Sequence, residues 1–447
     1  MANLVRYALS KGIEVAGYDR TPSALSKSLE REGAHLFYTD NPALIPPQFL
    51  NPEQALTVYT PAVPESNAVL TALRASGVKV EKRAALLGRI TARTKAICVA
   101  GSHGKTTTSS MVANIMRGSR LGCNAFLGGV LRNTGSNLVL SADSEWSVAE
   151  ADEYDRSFHH LSPTIAIITS TDPDHLDIYG NEANYLESFA RFTELIRCGG
   201  TLLLHTGLKL HPRQGEGVRV ITYSGSSEGD CHAENIVYGP GTLSFDFVGQ
   251  RTRIDGIRLG APVEINIDNA VAAAAASLLA GATQDEVRRG LETFLGAKRR
   301  FEVHLKGDEP GADGRVLIDD YAHSPNEVRA SIESVRRLYP GRRISVIFQP
   351  HLYSRTRDFA PEFGEALSAA DEVILTEIYP ARELPIPGVS SELVLRAIHG
   401  PQTLLTTRAD LLNCIKKRNF DVLMTLGAAD IDRAIPDIIH ILTTHNV

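Results

Sequence analysis

The chain has 447 residues, 43% hydrophobic and 22% charged, a length and composition that suit about three globular domains. Its formal charge of -6 leaves no electrostatic footprint for nucleic acid, and no apolar run reaches membrane length, so membrane insertion is not expected. Cys98, Cys123, Cys198, Cys231 and Cys414 are far apart with no C-x-x-C pair, as reduced thiols of a cytoplasmic protein would be.

The opening MANLVRYALSKG is too polar and short for a signal peptide. Leu4, Val5, Ala8 and Leu9 recur at helical spacing and Gly12 stops that helix, after which 13–17 reads as a short buried strand ending at Tyr18-Asp19. A helix followed by a strand with an acidic tip is the second half of a dinucleotide-type βαβ unit, so a strand and G-x-G-x-x-G turn are expected before Met1. Asp19 suits a turn residue before Thr21-Pro22 equally well. Helices are expected at 23–32 and 66–76, with an extended run at 55–59. A boundary near Thr94 then makes 1–94 a small α/β domain.

The stretch AICVAGSHGKTTTSSM, 96–111, joins an apolar β-branched run to a glycine turn that opens on a lysine and three threonines. Glycines let backbone N–H groups approach a polyphosphate, the helix N-terminus adds a positive dipole end, Lys105 reaches the outer phosphates, and the Thr106 hydroxyl suits Mg²⁺. The spacing is the short G-x-x-G-K-T, and a capped helix with a solvated lysine is the plainer alternative.

Two acidic groups follow. VAEADEYD, 148–155, places four carboxylates just after an extended run, and the buried-type strand TIAIIT, 164–169, ends in DPDHLD, 172–177. Acidic clusters are often only solvated faces. With a phosphate loop upstream, carboxylates and an imidazole at strand ends point instead to metal-assisted ATP chemistry. The alanine run 270–276 is too short to span a membrane and sits inside a helical pattern. Beyond 297, strands expected at 317–320, 343–348, 372–376 and 421–425 alternate with helices at 324–338, 361–369, 391–399 and 408–416, which predicts a mostly parallel sheet.

The series GSHGKTTT, EADEYDRSF, DPDHLDIYGN, NIDN, KRRFE, DDYAHSP, FQPHLYSRTR, IPG and TLGAAD resembles the Mur ligases of peptidoglycan assembly over essentially the whole chain, and within them the alanine-adding branch. The resemblance implies an α/β fold of three domains. These are an incomplete N-terminal Rossmann-like domain for a UDP-substrate (1–94), a central P-loop ATPase-type domain with a mostly parallel sheet (95–297), and a C-terminal Rossmann-like domain (298–447). It implies ATP and Mg²⁺ as cofactors and UDP-N-acetylmuramate and L-alanine as further substrates, with no nucleic acid and no membrane insertion, and leaves the oligomeric state open.

By the same resemblance, Gly101, Ser102, His103, Gly104, Lys105, Thr106 and Thr107 hold the phosphates, with Lys105 on the γ-phosphate. Thr106 and Glu150 meet the first Mg²⁺ and His175 a second. Asn266 and Asn269 meet the adenine, Arg300 the phosphates and Asp320 the ribose, while His323, His351 and Arg355 orient L-alanine. Taken alone, Asn269 could cap its helix, Arg299 and Arg300 could be surface charges, and His351 with Arg355 could be an exposed pair. Leu352 stands where many relatives carry arginine, Ser324 replaces a second histidine and Tyr154 a serine. No lysine lies between Lys105 and Lys209, so the carbamylated lysine of sister ligases has no counterpart there. Two alternatives remain: a murein tripeptide ligase acting on the same UDP-sugar, and a nucleotide-binding protein with impaired ligase activity.

Overall fold

The computed structural model describes residues 1–60, 63–308, 312–381 and 383–444, and leaves out the side chains of Ala24 and of Asp177, the last residue of the second acidic group. Two compact units divide the chain. The first comprises Met1–His232, Val248–Thr252 and Asn269–Gly290, and the second Ala233–Phe247, Arg253–Asp268 and Leu291–Val447.

In the first unit, helix Ala2–Ser10 precedes two separate parallel strand pairs, Ala16–Tyr18 with His35–Phe37 and Leu56–Tyr59 with Lys79–Lys82. The first strand starts later than its apolar run suggests, because Ile13 is exposed rather than buried. Helix Ala24–Arg31 begins at Ser23, whose hydroxyl accepts the Ser26 N–H while the Ser26 hydroxyl accepts the Ser23 N–H, a reciprocal cap. Asp19 Oδ1 accepts the Thr21 N–H at 3.2 Å, which is the turn-residue behaviour.

The unit's main sheet runs, in spatial order, Arg219–Ser224, Thr201–His205, Ile165–Ile168, Lys95–Ala100, Trp146–Glu150, Asn124–Leu131 and Ser136–Val139. Only Ser136–Val139 is antiparallel to its neighbour in that series. Lys95–Ala100 lies between Ile165–Ile168 and Trp146–Glu150 and is buried from Ala96 onward. A parallel strand covered on both faces reads as a continuous apolar run. Since all three strands point the same way, their following loops emerge side by side at the carboxyl edge, where α/β sheets bind ligands. Helix Lys105–Arg117 follows the central strand and is buried from Thr108 to Met116. Its Asn114 amide donates to the Gly290 carbonyl at 2.7 Å.

Three strands that the sequence reading did not anticipate, Cys231–Gly239, Thr242–Gly249 and Thr252–Arg258, continue the same strand order past Arg219–Ser224 and are shared between the two units. Their burial follows no strict alternation: Thr242–Gly249 has no exposed position, while Cys231–Gly239 is exposed at Asn235 (φ 48°), Val237 and Tyr238.

The second unit carries a sheet in the order Glu302–Leu305, Val316–Asp320, Val422–Leu426, Ile344–Phe348, Glu372–Leu375 and Gln402–Leu405, parallel except for the first strand. The four expected strands are its inner members. The two outer ones escaped notice because they are short and polar, with Gln402 and Thr403 exposed. One helix differs from expectation: it spans Tyr353–Leu367 and starts well before Pro361. Phe359 (φ -126°, ψ 17°) interrupts the ladder and lets the proline sit inside.

Glycine is needed where helix Arg83–Arg93 meets the turn after Phe158, since a Cβ at Gly88 would lie 2.3 Å from the His160 carbonyl oxygen. Gly88→Ala is therefore expected to cost about 1–3 kcal/mol, as overpacking a close backbone contact does, read as a lower urea midpoint at unchanged m-value.

Candidate active site

The glycine turn owes its shape to close backbone approach. Gly101 has φ 143° and a Cβ there would stand 2.1 Å from Thr169 Oγ1, while at Gly104 (φ 82°) it would stand 2.8 Å from Asn269 Oδ1. Side chains cannot be added at either place without moving the turn. The Ser102 N–H donates to the Ser170 carbonyl and the His103 N–H to Ser170 Oγ, at 3.2 and 2.7 Å. The exposed His103 ring reaches Asp172 Oδ2 at 3.8 Å.

Lys105 opens the helix but is not solvated. Only 17% of its side chain is exposed, and its Nζ donates to the Gly101 carbonyl and pairs with the Glu153 carboxylate at 2.8 Å. One residue on, Thr106 Oγ1 donates to Glu150 Oε2 at 3.2 Å, and that carboxylate also accepts the Gly128 N–H at 2.6 Å and Ser109 Oγ at 3.2 Å. A Cβ at Gly128 would fall 2.4 Å from Glu150 Oε2, so any larger residue there would push the Glu150 carboxylate out of its present place. Thr107 is half-buried beside them.

Burial raises the Glu150 carboxyl, against the pull of the Gly128 N–H and Lys105. Burial likewise raises Glu153, with Lys105 opposing it. Two carboxylates held in a partly dry corner with one lysine are short of positive charge. The Thr106 and Glu150 oxygens have the spacing of adjacent ligands around Mg²⁺, whose bonds are about 2.1 Å long and near-perpendicular, so the donor set fits that ion. His175, held at φ 52°, places Nε2 at 4.0 Å from Glu153 Oε1 and 3.7 Å from Asp174 Oδ2, with Tyr154 edge-on to its ring. Lys105, Thr106, Glu150 and His175 are thus brought to one place, and Glu153, which the sequence offered only as one acid among four, sits between lysine and histidine.

Asn266 and Asn269 are both buried in helix Ile265–Ala280, which starts at Ile265. Asn269 is a full turn inside and so is no cap. Its Oδ1 accepts Thr108 Oγ1 at 2.9 Å, while Asn266 Nδ2 donates to the Ala261 carbonyl at 3.1 Å.

In the second unit, Arg299 is not a surface charge. Its guanidinium donates to Asp319 Oδ2 at 3.2 Å, to the Ala429 carbonyl at 2.6 Å and to the Gly427 carbonyl at 2.5 Å. Glu302, His304 and Asp319 are the metal-capable trio that the described residues contain, and Arg299 already supplies positive charge there through Asp319 and its own N–H on Glu302. Arg300 lays its guanidinium over the Tyr321 ring, 5.0 Å from the centroid.

His323 Nδ1 lies 3.1 Å from the Tyr321 carbonyl oxygen and 3.2 Å from Glu327 Oε2. Burial lowers its pKa, Glu327 opposes that, and Arg355 and Arg300 push it further down. His351 stacks on Tyr379, with ring centroids 6.1 Å apart. The turn to helix Tyr353–Leu367 passes through Leu352 at φ 71°, a conformation that branched side chains seldom adopt outside functional sites. Arg355 stands in that helix's first turn, and His351 precedes it. Arg357 is committed to Asp358, at 2.7 and 3.1 Å.

Asp320 accepts Ser331 Oγ at 2.7 Å, and burial raises its carboxyl from 3.8 to about 6. Folding therefore favours the protonated form; that stabilisation is complete below about pH 4 and is lost as pH rises through about 6. Asp320→Asn is expected to raise Tm at pH 8 by a few degrees and leave it unchanged at pH 4, measured by calorimetry at both values.

The model of the Mur ligase family catalytic domain matches residues 1–95, that of the Mur ligase middle domain 99–277, and that of the Mur ligase glutamate ligase domain 299–429. Two curated relatives are UDP-N-acetylmuramate–L-alanine ligases. The one from Parabacteroides distasonis is 51% identical over 99% of this chain and 95% of its own, and the one from Phocaeicola vulgatus 49% over 99% and 95%. Among solved structures, the UDP-N-acetylmuramate–alanine ligase of Thermotoga maritima superposes with a TM-score of 0.78 at 25% identity, covering 98% of this chain and 96% of that one. With glycine turn, acidic corners and all three domain matches in agreement, the chain belongs to the Mur ligase family.

Proposed function

We infer that the chain is an ATP-dependent ligase that joins L-alanine to the carboxylate of UDP-N-acetylmuramate, in the cytoplasm, with the domain division 1–94, 95–297 and 298–447. The observation that carries the reading is the gathering of Lys105, Glu150, Glu153 and His175 around one glycine turn, in a chain about half identical to alanine-adding ligases along its whole length. The tripeptide-adding and purely nucleotide-binding alternatives find no comparable support among these relatives.

ATP is the activating substrate. The lactyl carboxylate attacks the γ-phosphorus, ADP leaves, and the resulting acyl phosphate is opened by the amine of alanine with loss of phosphate. Lys105 and the N-terminal turn of helix Lys105–Arg117 hold the phosphates in line, the main contribution a protein makes to phosphoryl transfer. Thr106, Glu150 and His175 are the residues that would hold Mg²⁺, which when bound offsets phosphate charge. Asn269, packed against Gly104, and Asn266 suit the adenine edge, since an amide both donates and accepts. Asp320 is assigned to the ribose, Arg300 to the phosphates, and Arg355 to the alanine carboxylate.

The ammonium of alanine must lose a proton before it attacks. With Nδ1 facing two acceptors, the Tyr321 carbonyl and Glu327, His323 is assigned its lone pair on Nε2, and burial favours its neutral form, the form a general base requires. His351, stacked on Tyr379, is assigned to orienting the amino acid.

A substrate panel tests the reading. ADP release is expected only with UDP-N-acetylmuramate and an amino substrate together, faster with L-alanine than with L-serine, glycine or tripeptide; turnover with tripeptide alone would refute it. Lys105→Ala is expected to lower kcat by about 10³ or more. For the base, the acid limb of the kcat/KM profile should fall below the ordinary histidine value and vanish in His323→Gln, with His351→Gln retaining it.

A further inference from the structure

Helix Leu176–Tyr179 and helix Glu182–Glu194 carry two tyrosines whose rings are almost wholly buried, Tyr179 at 2% exposure and Tyr185 at 0%. They meet edge to face at 4.9 Å within a cluster of Phe158, Phe189 and Phe192. Packing alone would be served by phenylalanine, as it is at those three neighbours. The two positions that carry hydroxyls are the two that reach the loops of the candidate nucleotide site.

Each hydroxyl has a definite partner. Tyr185 Oη lies 2.9 Å from Ser102 Oγ, and Ser102 Oγ lies 2.6 Å from the Asp172 carbonyl oxygen. Serine has one proton, which goes to the carbonyl, so Tyr185 is the donor. This chain runs from the helix through the glycine turn to the second acidic corner. Tyr179 Oη donates to the Glu153 carbonyl at 2.5 Å, fixing the first corner at the residue that pairs with Lys105, and the Tyr179 N–H bonds the His175 carbonyl at 3.1 Å. Burial raises both phenols, so both stay protonated donors at any working pH. The Arg156 guanidinium covers the outer face of Tyr179, 4.9 Å from its centroid.

We propose that Tyr179 and Tyr185 are positioning residues for the nucleotide site, their buried hydroxyls tying the glycine turn and both acidic corners into one fixed arrangement. Neither touches substrate; they act through Ser102 and Glu153. The inference rests on the assignment of that turn to ATP.

Tyr185→Phe and Tyr179→Phe keep the rings and remove only the tethers. In the full chain, isothermal titration with ATP and Mg²⁺ should show affinity weakened about five- to tenfold in each, the loss of one neutral hydrogen bond to a site that must be preorganised. KM for L-alanine and for UDP-N-acetylmuramate should stay within twofold. Phe189→Leu is the packing control: it removes ring contacts of the same cluster without touching a hydroxyl, and should lower Tm with ATP affinity retained. Unchanged ATP affinity in both tyrosine variants would overturn the proposal, as would a Phe189→Leu variant that loses ATP affinity in the same proportion. A wild-type chain that shows no ATP binding would overturn the nucleotide assignment itself, and the tether with it.

Discussion

Parallel pairing of Lys95–Ala100 with Ile165–Ile168 on one side and Trp146–Glu150 on the other is the constraint on which the rest depends. Three strands pointing one way must release their chains at one edge, so a glycine turn and two acidic loops far apart in sequence arrive together. The burial of these strands on both faces holds them in place, because sliding any of them would draw the polar loop that follows it into an apolar layer. Lys105, Glu150 and Glu153 then have little choice of neighbours. What looks like a designed cluster is in the first place a consequence of strand order.

That cluster is electrostatically costly. Burial pushes Glu150 and Glu153 toward their neutral forms, and Lys105 offsets only part of the charge. The remaining cost is met by donors that need not move: the Gly128 N–H and the hydroxyls of Thr106 and Ser109 on Glu150. Such fixed dipoles are worth more in a dry corner than in water. The same arrangement leaves the corner receptive to added positive charge, which is the property a site for a divalent ion must have.

Much of this was legible in the sequence, for identifiable reasons. Strands buried on both faces announce themselves as unbroken apolar runs, and 97–100 and 165–168 are such runs. A lysine after a glycine turn and acids after strands place the chemistry without knowledge of contacts. The edge strands Glu302–Leu305 and Gln402–Leu405 were not legible, because an edge strand packs on few neighbours and is free to be polar. Pro361 misled for a related reason: its helix tolerates it through a break at Phe359 that only the backbone reveals. Gly128 and Glu153 were also hidden, since a residue chosen to fit against Glu150 or between Lys105 and His175 carries no signal outside the folded arrangement.

The run KRRFE shows where pattern gives out and geometry takes over. Two adjacent arginines are equivalent on paper, yet the backbone turns through positive φ at Arg299 and again at Phe301, which sends the two side chains to different tasks. Arg299 spends its planar fork on Asp319 and the carbonyls of Gly427 and Ala429, and its own carbonyl accepts the Tyr321 N–H. The segment is thereby pinned to the ends of two parallel strands, one of which ends in Asp320. Arg300, stacked on Tyr321, is held by the same ring that Arg299 also overlies. A lysine could replace neither, because it lacks both the fork and the flat face. The positive-φ turn is thus what separates an arginine spent on strand ends from one left stacked on a ring.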